Sequence, residues 1–370
     1  MNAAVATIGI AAGRYGHQLS QELLRGVRQL YILYLFGLIT LATAYTVGLV
    51  THVRPDIAIV ESFGADVGFA FAFLALLLAA GGLVWLAVVR RSNTPTRDIL
   101  RFVLGYAGDP SWVADVANTL AVILLFIAAY GTLKGAIAVL SPFAWDAALA
   151  DAGKILFFGH HPYEMLAAVL HWPLAVFSVN FLYNLWFFMV VGSYLIVAGT
   201  KRPALRHQYL MAFMACWFVG GFLIAMVFSS AGPCYYARIG LGDAFAPLMN
   251  ALHAADARLP IWALSTQNAL WEGFTGLRPG SAGISAFPSM HVATAVLMAL
   301  LASSVHRAAG IVMWIYAGII LFGSVLLGWH YVVDGFASIP FAILVWKLSG
   351  AYARRVCATE SVAAGGLIRN

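Results

Sequence analysis

The stretch AGIVMWIYAGIILFGSVLLGWHYVVDGFASIPFAILVWKLSG, residues 309–350, decides the fold. It contains two apolar runs, 309–328 and 330–350, and each is close to the roughly 20 residues that a helix needs to cross a bilayer. The polar group GWHYVVD, residues 328–334, lies where the two runs meet. Two membrane-spanning helices are therefore expected to meet at a short connection that carries a histidine and an aspartate.

The rest of the chain repeats this apolar pattern. Hydrophobic residues make up 62% of the 370 residues, charged residues only 10%, and the mean hydropathy is +0.87. Such a composition cannot cover the chain with a water-soluble surface. No alternating pattern of a transmembrane barrel appears. The sequence predicts an all-α polytopic membrane protein with about eight transmembrane helices, the others at 29–51, 63–89, 116–138, 175–199, 209–230 and 289–306.

The net charge of +6 is explained by topology, which leaves no reason to expect a nucleic-acid partner. Fifteen of the 21 Lys and Arg residues fall on the side of both termini. By the positive-inside rule, both termini are cytoplasmic. The expected location is a bacterial inner membrane, and the oligomeric state is left open. The other side receives Arg54, Lys134, Lys154, Arg238, Arg258 and Arg278.

Three stretches between the spans are informative. Residues 92–115 mix charged and apolar side chains, which is typical of a cytoplasmic helix at the headgroup level. Residues 141–172 predict an interfacial helix pair on the opposite side, broken near Gly159 and Pro162. Residues 229–287 form the longest loop on that same side. A loop of this length usually has a function, and we interpret it as a lid or an acceptor site.

Two segments carry the chemistry, FPSMH at 287–291 and GWHYVVD at 328–334. His330 and Asp334 are four positions apart, so on a helix that starts near Trp329 they share one face. An aspartate that accepts from one imidazole nitrogen sets the tautomer and leaves the other nitrogen as a nucleophile towards phosphorus. Trp329 and Tyr331 are expected to be ordinary aromatic belt residues.

The first segment predicts a phosphate site. Pro288 suits a helix start, and the N–H groups of Ser289, Met290 and His291 would then point out of the positive end of the helix dipole. Ser289 adds a hydroxyl donor, and His291 can protonate a leaving oxygen. The 39 positions from His291 to His330 allow one helix, a tight turn at His306-Arg307 and one returning helix. Both histidines are therefore expected at the extracytoplasmic face.

These two segments resemble the type 2 phosphatidic acid phosphatase superfamily, whose members share a PSxH and an HxxxD element. The resemblance implies a six-helix phosphatase-type core at 116–350, preceded by two helices and an interfacial segment at 1–115 and followed by a cytoplasmic tail at 351–370. It also implies a His330 nucleophile oriented by Asp334, the general acid His291, a phosphohistidine intermediate, and neither metal nor cofactor.

Within the superfamily the chain is similar to the branch of fungal inositolphosphotransferases, the targets of aureobasidin. The segments concerned are PFAWDAALADAGKILFFGHHP, residues 142–162, and SAGPCYYARIG, residues 230–240. Tyr235 and Tyr236 either line a headgroup pocket or are aromatic belt residues. His160 and His161 are either proton relays or plain interfacial histidines.

Two cations of the superfamily pattern are missing. Arg278-Pro279 has Trp271 where the first motif has a lysine, and Ser324 stands where an arginine usually precedes the nucleophile. Another cation must neutralise the phosphoryl oxygens. Arg238 is the first candidate, followed by Arg278 and Lys134.

The expected function is that of a metal-independent transferase or hydrolase that moves a phosphoryl group or phospho-headgroup from a membrane lipid to an alcohol or to water. Two alternatives are kept. A transporter would need polar residues deep inside several spans. A metal-dependent hydrolase would use His291, His330 and Asp334 as ligands.

Overall fold

A computed structural model describes residues 2–51, 68–69, 72–73, 76, 79–277 and 283–366, with the side chains of 2–12 and 359–366 outside the description. Within these residues the chain is helical and has no β-strand. The principal helices are α1 (Asn2–Gln29), α2 (Tyr31–Thr51), α3 (Ala79–Val89), α4 (Pro95–Ala107), α5 (Pro110–Leu140), α6 (Asp146–Leu156), α7 (Pro173–Gly199), α8 (Pro203–Val227), α9 (Ala246–Asp256), α10 (Trp262–Phe274), α11 (Met290–Val305), α12 (Arg307–Leu326) and α13 (Val332–Gly366).

The helices confirm an all-α polytopic membrane protein. Six of those in the described residues are long and apolar enough to cross a membrane, namely α2, α5, α7, α8, α12 and the first part of α13 to Ala358. The shorter apolar helix α11 has 16 residues and falls on the predicted span 289–306. The predicted span 63–89 is described only in part, and the described residues show its end as α3. The last helix continues into the predicted tail as far as Gly366.

Prolines and one capping side chain fix where several spans begin. Pro110, Pro173 and Pro203 each stand at the first position of a helix, where a missing N–H costs nothing. Asp109 caps α5, because its Oδ1 accepts from the backbone N–H groups of Ser111 at 3.1 Å and Trp112 at 3.4 Å. The sequence signals at these helix starts are therefore local.

The tight turn predicted at His306-Arg307 is confirmed. Helix α11 ends at Val305, His306 is extended with φ −153°, and α12 begins at Arg307. Helix α11 packs against α12, α13 and α7, and α8 packs against α13. The start of α11, the end of α12 and the start of α13 therefore meet at one end of the bundle.

The two long connections at this end are largely helical. Residues 141–172 contain α6 and a 3₁₀ turn at Pro162–Leu166, with the expected break at Phe158 and Gly159, whose φ angles are +56° and +92°. Residues 229–287, predicted as a loop, instead contain α9 and α10. Both helices are amphipathic and bury apolar side chains against the core, which explains the difference, through Leu248, Leu252 and Leu264.

Candidate active site

His330 lies in the connection between α12 and α13, two residues before α13 begins at Val332. The sequence placed it on the helix itself. The connection turns at Gly328, whose φ is +73°, and the N–H groups of Trp329 and His330 both donate to the carbonyl oxygen of Ser324, at 3.0 and 3.1 Å. His330 is buried. These backbone hydrogen bonds therefore fix the position of His330 independently of its side-chain contacts.

The imidazole of His330 is oriented by a backbone carbonyl. Its Nδ1 lies 2.8 Å from the carbonyl oxygen of Ala286 and 3.5 Å from Oδ2 of Asp334. A carbonyl oxygen can only accept, so Nδ1 carries the proton and the lone pair of Nε2 is available. The sequence assigned this orienting contact to Asp334 alone, whereas the shorter contact is with Ala286.

Asp334 is completely buried in the first turn of α13. Its Oδ2 accepts from the N–H of Tyr331 at 2.9 Å, and in the described part of the chain its Oδ1 has no hydrogen-bond partner. Its backbone carbonyl accepts from the hydroxyl of Ser338 at 2.6 Å. A buried carboxylate beside the Nδ1 edge of His330 favours positive charge on the ring.

Ser289 is the N-cap of α11, and the helix begins at Met290. Pro288 is therefore two positions before the first helical residue and not the helix start that the sequence indicated. The N–H of Ser289 donates to the carbonyl of Asp334 at 3.4 Å, and its Oγ accepts from Val292 at 3.4 Å. The N–H groups of Met290 and His291 belong to the first turn, where no intrahelical acceptor precedes them.

Aromatic rings surround His291. The ring of Trp186 lies 4.4 Å from the His291 ring between centroids, and the ring of Tyr183 stacks on it at 4.9 Å and 22°. The indole N–H of Trp186 also donates to the backbone carbonyl of His291 at 3.1 Å. The rings of His291 and His330 are 6.3 Å apart. The structure thus brings the two histidines together across 39 positions of sequence.

Lys134 is a candidate cation that lies near the FPSMH segment. It projects from α5, its Nζ donates to the carbonyl of Ser285 at 3.3 Å, and its charge is within electrostatic range of the His291 ring. Its stem packs against Gly283. Because Ser285 takes one donor, two N–H donors of the ammonium group are left for another acceptor.

Arg238 has other partners. It is exposed, its guanidinium donates to Asn268 at 2.6 Å, and it lies over the rings of Tyr235 and Trp271 at 6.0 and 5.6 Å. The Tyr235 hydroxyl is also engaged, because it donates to the carbonyl of Gln267 at 2.9 Å. Arg278 lies outside the described residues.

Tyr236, the second predicted pocket residue, is half-buried and packs edge-on against Phe245 at 5.1 Å. The ring of Phe245 in turn contacts that of Tyr331 at 5.7 Å. Tyr236 is therefore separated from the HxxxD segment by one aromatic ring.

Sequence reasoning missed Asp146, at the start of α6. This buried carboxylate accepts from the N–H groups of Ala231 and Gly232 and from the hydroxyl of Tyr331, at 2.8 to 3.0 Å. Tyr331 is 4% exposed, so its interpretation as a belt residue is wrong. Burial raises the pKa of the Tyr331 phenol and the Asp146 carboxylate raises it further, which keeps the hydroxyl protonated as a donor.

Ser230 connects the interactions of Asp146 to His330. Its carbonyl accepts from the N–H of Ala286 at 2.9 Å, and its Oγ accepts from the N–H of Phe287 at 3.1 Å. Ala286 is the residue whose carbonyl holds the His330 ring. A chain of hydrogen bonds and adjacent residues therefore runs from Asp146 through Ser230 to the imidazole.

A small pocket lies beside His330 and Tyr331. It is bounded by His161, Tyr163, Phe245, His330 and Tyr331, and further apolar residues, including members of α6, α9, α12 and α13, line the wall. His160, its neighbour in sequence, is exposed and pairs with Glu164 at 3.1 Å. The two adjacent histidines thus have different surroundings.

Among the described residues, no three His, Cys, Asp or Glu side chains are arranged to hold a metal ion. The metal-dependent alternative needs His291, His330 and Asp334 to converge on one ion, and the described residues do not show that arrangement. Asp334 lies on the Nδ1 edge of His330, the edge that faces the Ala286 carbonyl.

Comparison with known proteins gives one match. A family model described as the PAP2 superfamily covers residues 148–348, more than half of the chain. This range includes His291, His330 and Asp334, and it begins two positions after Asp146. Neither the curated proteins nor the solved structures contain a match.

Proposed function

The chain belongs to the PAP2 superfamily and is a membrane protein of phosphatase type, and from this we propose that it transfers a phosphoryl group or phospho-headgroup from a membrane lipid through a phosphohistidine at His330. The acceptor is an alcohol or water. The observation that carries the proposal is the 2.8 Å contact between His330 Nδ1 and the Ala286 carbonyl. This contact supports a tautomer with the proton on Nδ1, in which the lone pair of Nε2 faces away from Ala286.

In the first step, Nε2 of His330 attacks phosphorus, and the bond from phosphorus to the lipid alcohol breaks. His291 gives its proton to the departing oxygen. The ring of His330 becomes positively charged when the N–P bond forms, and the buried Asp334 carboxylate, 3.5 Å from Nδ1, stabilises that charge. In this proposal, Asp334 stabilises the charge of the phosphorylated ring, and the carbonyl of Ala286 orients the ring.

In the second step, an acceptor hydroxyl attacks the phosphohistidine. His291, now neutral, takes the proton of the hydroxyl as the P–N bond breaks. The 6.3 Å between the two ring centroids is compatible with a phosphoryl group between a nucleophile and an acid. The stacked ring of Tyr183 and the tilted ring of Trp186 restrict the orientation of His291 throughout.

The transferred phosphoryl group needs positive partners. The N–H groups of Met290 and His291 at the start of α11, together with Lys134, support an anion site there. Arg238 and Arg278 remain candidates, but the partners of Arg238 make Lys134 our first choice. Ser289 contributes as the cap that fixes this helix end.

Two further parts of the proposal concern side and branch. The charge distribution supports an extracytoplasmic site and cytoplasmic termini. The inositolphosphotransferase-like interpretation, and hence transfer to an alcohol, rests on the sequence resemblance of residues 142–162 and 230–240, two segments that meet where Asp146 binds Ala231 and Gly232.

The test is an analysis of phosphorus products. Purified protein in detergent receives phosphatidic acid and phosphatidylinositol separately, with excess EDTA, beside His330→Ala. We expect the wild type to release phosphate or move a headgroup, and His330→Ala to lose this activity by at least about 10³-fold. Equal activity of the two proteins, or loss of activity with EDTA, contradicts the proposal. The product distinguishes a transferase from a plain phosphatase.

A further inference from the structure

The end of the bundle opposite the histidines carries a surface that the proposed function does not use. Helix α11 begins beside the site, and near its other end the carbonyl of Ser304 accepts from the guanidinium of Arg202 at 3.0 Å. The connection between α7 and α8 therefore lies at the far end of the bundle. Helix α4 lies at the same end, because Nζ of Lys201 in this connection is 5.7 Å from the centre of the Tyr106 ring.

Helix α4 is attached to the protein through a few side chains. The ring of Tyr106 packs against that of Trp112 on α5 at 5.1 Å, and Ile99 lies beside Gly82 of α3. No side chain of α4 is buried. Most of its surface therefore contacts the surroundings of the protein, which at the end of a membrane-spanning bundle are lipid headgroups and the adjoining acyl chains.

The exposed part of α4 carries a row of cations beside a row of apolar side chains. Arg97 and Arg101 are one turn apart, and so are Leu100 and Leu104. Each leucine stands three positions after an arginine, so the two rows are neighbours on the helix surface. All four side chains are exposed, Leu100 by 56% and Leu104 by 59%. The two rows match the charged headgroup and the adjoining acyl chain of a lipid.

The cations of this surface are poorly compensated within the protein. Residues 90–101 contain four arginines and one acidic residue, Asp98. Asp98 accepts from a serine hydroxyl at 2.5 Å and lies 3.7 Å from Arg101, and an exposed ion pair of this kind contributes little. In the described part of the chain, Arg97 and Lys201 form no ion pair. The surface therefore keeps most of its positive charge for an external partner.

The positive charge selects the kind of lipid. A zwitterionic lipid carries its own ammonium group beside the phosphate and gains little from nearby arginines, whereas a lipid with net negative charge is attracted to them. In the topology that the charges favour, this end faces the cytoplasm, where anionic lipids attract basic segments next to membrane spans.

We propose that α4 and the connection before it form a binding surface for anionic phospholipid. Arg97 and Arg101 bind the phosphate, while Leu100 and Leu104 contact the acyl chain. A lipid bound here is not a substrate, because the surface lies at the opposite end of the bundle from His330. The inference does not depend on the proposed function, and its test measures binding without catalysis.

The test compares two lipids that have the same acyl chains. Purified protein in detergent is titrated with phosphatidylglycerol and, separately, with phosphatidylcholine, and native mass spectrometry gives the Kd of each. We expect the wild type to prefer phosphatidylglycerol. Arg97→Gln/Arg101→Gln should weaken phosphatidylglycerol binding about 30-fold, the effect of two cations at an anionic surface, and change phosphatidylcholine binding less than about threefold. Higher ionic strength should reduce the wild-type preference, because exposed charges are screened.

Two further variants complete the design. Lys154→Gln/Arg258→Gln is the matched control, because it removes the same net charge from the two long connections at the active-site end, and it should leave the preference unchanged. Arg97→Lys/Arg101→Lys keeps the charge and should retain most of the preference. Both α4 variants should keep wild-type thermal stability, since they change exposed side chains.

Three results would overturn the lipid surface. One is a wild type that binds the two lipids equally well. Another is an equal loss of preference in the two glutamine variants, because net charge alone would then explain the binding. The third is loss of the preference in Arg97→Lys/Arg101→Lys, which keeps the charge. None of these results bears on the phosphohistidine, which the activity of His330→Ala tests separately.

Discussion

Asp146 and Tyr331 are 185 positions apart in the chain and are joined by a 2.8 Å hydrogen bond between two buried side chains. The same carboxylate binds the N–H groups of Ala231 and Gly232. One residue at the start of α6 therefore holds together the loop after α8 and the HxxxD segment. His330 is adjacent to Tyr331 in this arrangement, so its position depends on a contact outside both histidine motifs.

Tyr331→Phe removes the hydroxyl from this arrangement. We expect a loss of about 1.5–3 kcal/mol in the free energy of unfolding, because the hydroxyl donates to a buried carboxylate. Tyr163→Phe is the matched control, since its hydroxyl donates to the neutral carbonyl of Ala244, and it should cost about 0.5–1.5 kcal/mol. Thermal unfolding in detergent measures both. The interpretation of Asp146 is wrong if Tyr163→Phe is the more destabilising variant.

The sequence alone was sufficient to predict that the two histidines lie at one end of the bundle. The reason is that length alone determines this result, since one helix out, a turn at His306 and one helix back fit between His291 and His330. Apolar run length likewise gave the described spans. The length and the apolar character of a helix depend only on neighbouring residues, so both can be predicted from a single sequence.

The support of the site could not be predicted in this way. Asp146 has partners 85 to 185 positions away, and nothing in a single sequence pairs them. The group that orients His330 is the carbonyl of Ala286, and a backbone carbonyl has no sequence signature. The sequence is the same whether Tyr331 lies in a membrane-surface belt or donates a buried hydrogen bond. Only the packed structure separates these alternatives.

His291→Ala should trap the covalent intermediate when the donor is p-nitrophenyl phosphate. The nitrophenolate leaves without a proton, so His330 can still be phosphorylated, but no base then activates the acceptor. We expect a burst of nitrophenolate, followed by turnover about 10²–10⁴-fold slower than wild type. Rapid-quench measurements should find an acid-labile, alkali-stable phosphate on the protein.

The double variant His291→Ala/His330→Ala is the control for that experiment, and it should give neither burst nor labelled protein. A burst that persists in the double variant would place the nucleophile elsewhere. Single turnover without labelled protein in His291→Ala would indicate direct attack by water, and the phosphohistidine would have to be abandoned.

Lys134→Met tests the choice of phosphate-binding cation. Methionine keeps most of the stem that packs on Gly283 but removes the ammonium group. If Lys134 binds the phosphoryl oxygens, kcat/KM should fall about 10- to 100-fold, the equivalent of one hydrogen bond to a charged group. Arg238→Gln should change it less than about threefold, because an exposed side chain bound to Asn268 contributes little. If Arg238→Gln lowers kcat/KM more than Lys134→Met does, Arg238 is the better candidate for the phosphate-binding cation.

The backbone of Gly232 lies close to Trp329, the residue before the nucleophile, and Gly232→Ala tests whether that approach is needed. Its φ and ψ of +103° and 166° are accessible to glycine and strained for other residues. An added Cβ would lie 2.7 Å from the carbonyl oxygen of Trp329 and 3.3 Å from Cβ of Ala286. Because Trp329 precedes His330 and Ala286 holds its ring, we expect relief of this clash to displace the imidazole.

We therefore expect Gly232→Ala to lower kcat about 10²-fold, the effect of a displacement on the order of 1 Å at a reacting group. Gly240→Ala is the matched control, since its φ of +83° imposes similar backbone strain while an added Cβ meets nothing within 4 Å. Both variants should lose thermal stability from backbone strain, and Gly232→Ala should lose more because of its clash, but only Gly232→Ala should lose activity per folded molecule. Equal kcat values in the two folded variants would mean that the loop at 229–232 supports the fold alone, and that the position of His330 is independent of it.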